Sequence, residues 1–153
     1  MSNRVALVTG GAQGIGKGIA TTLGAAGFRV AVADLNLEVA ERTAQEIRAA
    51  GGTAVAVRID VTDSASVAEA LSSVESELGP VDVLVNNAGW DDFMPFVKTT
   101  EEFWDKILDI NFKGMLRTTK AIVPGMIERG FGRVVNIGSD AGRVGSSLEA
   151  VYS

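Results

Sequence analysis

Five short apolar runs, separated by segments with helical periodicity, constrain the fold of this chain more than any other feature. They are Val5–Val8, Phe28–Ala33, Thr53–Ile59, Val81–Val85 and Arg133–Ile137. Their apolar residues are dominated by Val and Ala and show no strict polar alternation, so each run reads as a strand buried on both faces. The intervening segments repeat apolar residues at helical spacing. Ile15, Ile19, Ala20 and Leu23 share one face, as do Val39, Ala40, Thr43 and Ile47, and then Val67, Ala70, Leu71 and Val74. Gly27, Gly51-Gly52, Gly79-Pro80, Gly130 and Gly132 punctuate the joints. Strands that alternate with helices need right-handed crossovers and therefore a parallel sheet with helices on both faces. The expected fold is α/β, a doubly wound sheet in three layers with strand order 3-2-1-4-5, in one domain over residues 1–153.

Local signals set the element ends. Asn36 is expected to cap a helix from Leu37 to about Ala50, and Asp63 or Ser64 one from about Ala65 to Leu78. Thr99 with Glu102 fits a capping box for a long helix reaching about Glu128, bent or interrupted near 111–114. Residues 138–148 read as a loop, and Glu149 onward as the start of a helix. The fifth run is left as an apolar edge.

In such a sheet, ligands sit beyond the carboxyl ends of the strands, where strands 1 and 4 diverge. The residues that fall there carry the functional reading. The first strand runs into Thr9-Gly10-Gly11-Ala12-Gln13-Gly14-Ile15-Gly16, a glycine turn that opens a helix. Glycines allow close backbone approach to a phosphate, and the helix N-terminus offers free N–H groups. Asp34, followed by Leu35, ends the second strand 20 residues after Gly14. A carboxylate there accepts hydrogen bonds from both ribose hydroxyls and repels a 2′-phosphate, and Gln13 stands where a basic residue would meet that phosphate, so NAD is expected over NADP. Asp60-Val61 ends the third strand and fits the adenine, with a plain turn aspartate as the equal alternative. Asn86-Asn87-Ala88-Gly89 and Ser139 close the fourth and fifth strands.

Composition removes other chemistries. The chain contains no cysteine and no histidine, which excludes a Ser-His-Asp triad, a thiol nucleophile and a histidine zinc site; no metal site is expected. A net charge of −5 without Lys/Arg blocks argues against nucleic acid. No apolar run approaches the ~18 residues of a membrane span. Met1-Ser2-Asn3-Arg4 leads directly into the first strand and lacks the form of a signal peptide, so a cytoplasmic location is expected.

The glycine motif at 9–16, Asp60-Val61, Asn86 to Gly89, Asn111, the run Val134-Val135-Asn136-Ile137 leading to Ser139, and Tyr152 together resemble the short-chain dehydrogenases/reductases, over the whole chain and in the right order. The resemblance implies a Rossmann-like fold and NAD(P)-dependent interconversion of a secondary alcohol and a ketone. It implies that Thr9, Gly10, Gln13, Gly14, Ile15, Gly16, Asp34, Leu35, Asp60, Val61, Asn87, Ala88 and Gly89 hold the cofactor. Tyr152 is then the base, Ser139 orients the substrate oxygen, and Asn111 anchors a water of the proton relay. A phenol titrates near pH ~10 and needs neighbouring positive charge to act as a base at neutral pH. The family lysine four residues after its tyrosine would lie beyond Ser153, so the chain is expected to be a fragment that lacks the last units of the family fold. The segments 86–91, Pro95-Phe96 and 139–147 resemble family members that oxidise a ring hydroxyl on an acyl-CoA. The alternatives are an NADPH-dependent 3-oxoacyl thioester reductase and a nucleotide-binding module without chemistry. Trp90, Phe93, Met94, Phe96 and Leu148 are candidates for an apolar substrate pocket or for packing, and Arg143 for a CoA phosphate or for solvent. The resemblance further implies a dimer or tetramer in the full-length protein.

Overall fold

A computed structural model describes residues 3–153; Met1 and Ser2, part of the expected leaderless start, lie outside the described residues. Five strands, β1 (Val5–Thr9), β2 (Arg29–Asp34), β3 (Thr53–Arg58), β4 (Val81–Asn86) and β5 (Arg133–Asn136), form one sheet in the order β3-β2-β1-β4-β5. Every neighbouring pair is parallel, with Val5 opposite Arg29, Arg29 opposite Thr53, Val5 opposite Val81 and Val83 opposite Arg133. The expected doubly wound order is the observed one.

Successive side chains on a strand point to opposite faces, and the sheet separates two cores accordingly. Val5 and Leu7 face a core shared with Val67, Ala70 and Val74 of α3 (Ser64–Leu78) and Ile122 and Met126 of α5 (Gly114–Glu128). Val8, Val30 and Val32 face a second core with Ala20 of α1 (Gly14–Ala25) and Ala40, Ala44 and Ile47 of α2 (Leu37–Ala49). Burial on both faces is why these strands lack polar alternation.

Caps fall where short polar side chains can meet exposed N–H groups. Asn36 accepts from Val39 N at 3.2 Å and Asp63 from Ala65 N at 2.9 Å. The expected Thr99–Glu102 capping box is corrected. Thr100 caps α4 (Glu101–Ile107) by accepting from Phe103 N at 3.3 Å. Thr99 is diverted, because its hydroxyl takes the indole N–H of Trp104 at 2.6 Å.

The interrupted long helix resolves into α4, a π-helical turn over Leu108–Lys113, and α5. The π turn spans the start of the predicted interruption. Two readings near the C-terminus change. The loop at 138–148 contains a short helix, α6 (Ala141–Val144), and the residues after Glu149 form turns instead of a helix. Gly145, at φ +77°, lies in the left-handed region and ends α6. The outer strand β5 is open, with Val134, Val135 and Ile137 exposed by 37%, 45% and 42%. Among the described residues, no helix is long and apolar enough to cross a membrane.

Candidate functional site

The carboxyl ends of the strands are stitched together at β1 and β4. Thr9 is buried, and its hydroxyl accepts the backbone N–H groups of Asn87 and Ala88, both at 3.1 Å. Asn87 answers with its side-chain amide, which donates to the carbonyls of Thr9 and Gly10 at 3.1 Å. Gly16 sits against this knot. A Cβ there would lie 2.0 Å from the Gly10 carbonyl oxygen and 2.5 Å from the Asn87 amide nitrogen. Gly14 adopts φ +55°, the left-handed conformation that glycine tolerates, and opens α1. Asn36, Asp63 and Thr100 cap the following three α-helices through their side chains; Gln13, at the start of α1, makes no such bond. The first-turn N–H groups of α1 therefore lack a side-chain acceptor, as an anion site requires.

Asp34 stands across from this loop. One carboxylate oxygen accepts Ala12 N at 3.1 Å and the other Asn36 N at 3.0 Å. Thr43 of α2 pins the same loop by donating to the Ala12 carbonyl at 2.8 Å. At the end of β3, Asp60 accepts from the Thr62 hydroxyl at 2.6 Å and its N–H at 2.9 Å. These two bonds, the hydroxyl first, hold the Asp60 carboxyl below the usual carboxylate range.

A cavity of about 790 Å³ opens over these strand ends. Gly10, Gln13, Ile15, Gly16, Asp34, Leu35, Asp60, Val61, Asn87, Ala88 and Gly89 line it. Two expected residues stand off the wall. Thr9 lies beneath it as the support of Asn87 and Ala88, and Gly14 is exposed beside it. Trp90, expected for an apolar substrate pocket or for packing, lines it too, and Ile59, Thr62, Lys106, Asp109 and Ile110 line it without having been singled out. Lys106 and Asp109 come from α4 and the π turn, whose approach to the strand ends is set by tertiary packing.

A second cavity of about 560 Å³ shares Ile15, Asn87, Ala88, Gly89 and Trp90 with the first. Asn111, Ser139 and Tyr152, the three residues expected to be catalytic, all line it. Ser139 caps the turn after β5, its oxygen accepting Ala141 N at 3.2 Å. Asn111 does something else with its side chain. It accepts Trp90 N and donates to Trp90 O, both at 2.7 Å, and so clamps the segment after β4 from the π turn. Trp90 is held further by Lys106, whose Nζ lies 3.5 Å from the ring centroid, and by an edge contact with Phe103 at 5.8 Å.

The apolar candidates divide. Trp90 lines both cavities, whereas Phe93, Phe96 and Leu148 are exposed, and Phe96 stacks on Trp104. Ile107, Leu108, Phe112 and Val151 supply the apolar wall instead. Arg143 is exposed and paired with Asp140 at 3.2 Å. Asn86, one residue before the knot, is a buried hub. It accepts from Thr118 at 2.6 Å and donates to Asn136 at 2.9 Å, tying β4 to α5 and β5. Among the described residues, no group of three or more acidic side chains is placed to hold a metal ion.

The family model described as short chain dehydrogenase matches residues 4–153. The chain belongs to this family. Relatives include a sorbitol dehydrogenase of Cereibacter sphaeroides, 41% identical over 99% of this chain and 59% of that protein. An acetoacetyl-CoA reductase of Shinella zoogloeoides is also 41% identical, over 99% of this chain and 61% of that protein. Among solved structures, gox2181 superimposes with a TM-score of 0.96 at 39% identity, covering 99% of this chain and 60% of its own. An actinorhodin polyketide ketoreductase determined with NADPH gives 0.93 at 40% identity, covering 97% of this chain and 58% of its own. This short-chain dehydrogenase chain thus spans about 60% of the length of the relatives it matches.

Proposed function

We propose that this chain binds a nicotinamide adenine dinucleotide in the larger cavity and presents it to a secondary alcohol or ketone in the smaller one. The observation that carries this reading is that the two cavities share five wall residues, Ile15, Asn87, Ala88, Gly89 and Trp90. One elongated ligand reaches from Asp34 to the neighbourhood of Ser139 and Tyr152 without leaving the strand ends.

The residues fit such a ligand. The uncapped start of α1 offers N–H groups to the pyrophosphate. Asp34 offers carboxylate oxygens to the adenosine ribose, and Asp60-Val61 to the adenine. Bound there, the nicotinamide supplies the hydride acceptor or donor. Tyr152 exchanges the proton of the substrate oxygen, and Ser139 hydrogen-bonds that oxygen to orient it. The Asn111 clamp holds Trp90 in place between the two compartments, and Asn111 also stands where a relay water is expected.

NAD is the preferred cofactor in this reading, because a 2′-phosphate would face the Asp34 carboxylate and Gln13 offers no compensating charge. In the whole protein the substrate class is a secondary alcohol or its ketone. The relatives include sorbitol and galactitol dehydrogenases as well as acetoacetyl-CoA reductases, which supports that class. Within it, the resemblance of 86–91, Pro95-Phe96 and 139–147 favours a ring hydroxyl on an acyl-CoA, as in 2-hydroxycyclohexanecarboxyl-CoA dehydrogenase.

Calorimetric titration with NADH and NADPH tests the cofactor reading. NADH is expected to bind at least ~10-fold more tightly, the equivalent of about 1.4 kcal/mol. Asp34→Ala should narrow that ratio. Heat from neither dinucleotide, or tighter binding of NADPH, would overturn it.

A further inference from the structure

The wall of the larger cavity comes partly from the end of β3 and partly from the π turn. Asp60 and Val61 belong to the first, Asp109 and Ile110 to the second. Among the described residues, no hydrogen bond runs directly between these two segments; Arg117 of α5 joins them. Its Nη1 donates to the Val61 carbonyl and to the Asp109 carbonyl, both at 3.3 Å, and its Nη2 donates to Asp109 Oδ1 at 2.7 Å. A guanidinium can serve all three acceptors because it carries several N–H donors in a rigid fork. Arg117 does not line the cavity. It lies in a separate groove with Ser64, Val67 and Lys120, so the fork braces the wall from its outer side.

The local sequence builds this brace. The Asp109 carbonyl accepts the N–H of Gly114, five residues on, which is the bond of a π turn. Arg117 follows about one helical turn after Gly114 and reaches back to the same carbonyl. Gly114 lets α5 close on the end of β3, since a Cβ there would lie 2.8 Å from Val61 Cγ2. The Arg117 and Asp109 side chains are 24% and 30% exposed, so water screens their ion pair only in part. Lys113 stands 3.7 Å from the same Asp109 oxygen, but it is 56% exposed and adds charge without joining the segments. Beside Asp109, Ile110 packs on the core cluster that holds Ile59 and Val61. The π turn is thus tied twice, by Asn111 to Trp90 and by Arg117 to Val61.

We propose that Arg117 is a positioning residue for the adenosine half of the dinucleotide, holding Val61 and the Asp109-Ile110 pair at a fixed separation on either side of the adenine without touching the ligand. The inference rests on the cofactor reading given above, which places the adenine at Asp60-Val61. Its physical basis is preorganisation. With the fork in place, the two wall segments are already set when the ligand arrives. Without it, they are free to spread, and binding has to supply the cost of ordering them. That cost falls on ligands that carry the adenosine half. It does not fall on a ligand that occupies the nicotinamide side alone, where Asn111 and Trp90 hold the wall independently of Arg117.

Arg117→Met keeps the length of the aliphatic stem and removes the fork. Calorimetric titration of the wild type and this variant with NADH, ADP-ribose and reduced nicotinamide mononucleotide reads the two halves of the ligand separately, with circular dichroism reporting the fold. NADH and ADP-ribose are expected to weaken together, by ~5-fold or more, the lower end of typical coupling between separate groups. The mononucleotide should keep its wild-type affinity. A general loss of structure would weaken all three alike, so the split separates positioning from mere stability. Arg117→Lys keeps the charge and stem but cannot bridge both carbonyls and the carboxylate, and it should show the same split with a smaller loss; it keeps the test decisive if the methionine variant fails to fold. ADP-ribose binding undiminished in a folded variant, or a loss shared equally by the mononucleotide, overturns the inference and leaves the cofactor reading standing. A wild type that binds neither NADH nor ADP-ribose overturns the cofactor reading and this inference with it.

Discussion

Replacing Thr9 by Val tests whether the knot between the glycine loop and β4 holds the site together. Thr9 is 1% exposed, and its hydroxyl makes three bonds. It accepts Asn87 N and Ala88 N at 3.1 Å each, and donates to Val85 O at 3.4 Å. Valine fills nearly the same volume, so no cavity opens and the change isolates the hydrogen bonds. Two backbone N–H groups lose their acceptor. A buried donor left unsatisfied costs about 1–3 kcal/mol. Asn87 and Ala88 are half-buried, which places each near the lower end and the pair at about 2–3 kcal/mol. With a urea slope of about 1.5 kcal/mol per M, the unfolding midpoint should fall by ~1.3–2 M. Thr9→Ser keeps the hydroxyl and loses one methyl group, for about 1 kcal/mol. The expected order of stability is wild type, then serine, then valine, and NADH affinity should fall in the same order. Urea melts followed by tryptophan fluorescence give the first order and calorimetry the second. A valine variant as stable as the serine variant would refute the argument, because hydroxyl acceptance would then carry no weight.

Gly16→Ala would force a Cβ to within 2.0 Å of the Gly10 carbonyl oxygen, a backbone atom that cannot rotate away. It should destabilise the chain by about 2–3 kcal/mol and abolish NADH binding, read by thermal melting and titration, whereas Gly14→Ala meets no atom within 4 Å and is opposed by its positive φ alone. Acid unfolding checks Asp60. Its folded-state carboxyl lies below the unfolded value because of Thr62, so its contribution is present above about pH 4 and is lost as pH falls through the folded value. Thr62→Val should therefore move the acid edge of the circular-dichroism transition upward, and an unmoved edge would count against the Thr62 bond.

The parts of the fold that were legible in the sequence share one physical property: their signal is local. Buried parallel strands are apolar throughout, helices repeat at 3.6 residues, and glycine marks the joints, so β1 to β5 and their order could be read directly. The site followed from the order, because every strand end in a doubly wound sheet opens on one crevice. What stayed hidden depends on contacts between distant segments. Thr99 and Thr100 are both competent caps, and the indole of Trp104 decides between them by taking the Thr99 hydroxyl. The π turn leaves no trace in apolar spacing beyond a polar residue at mid-helix; Asn111 is that residue, and its amide matches both polar groups of the Trp90 main chain. Lys106 and Asp109 reach the first cavity on the strength of the same packing. It follows that the half of the site proposed for the cofactor is legible in motifs. The half proposed for the substrate has to be read from which side chains the turns after β4 and β5 bring to the second cavity.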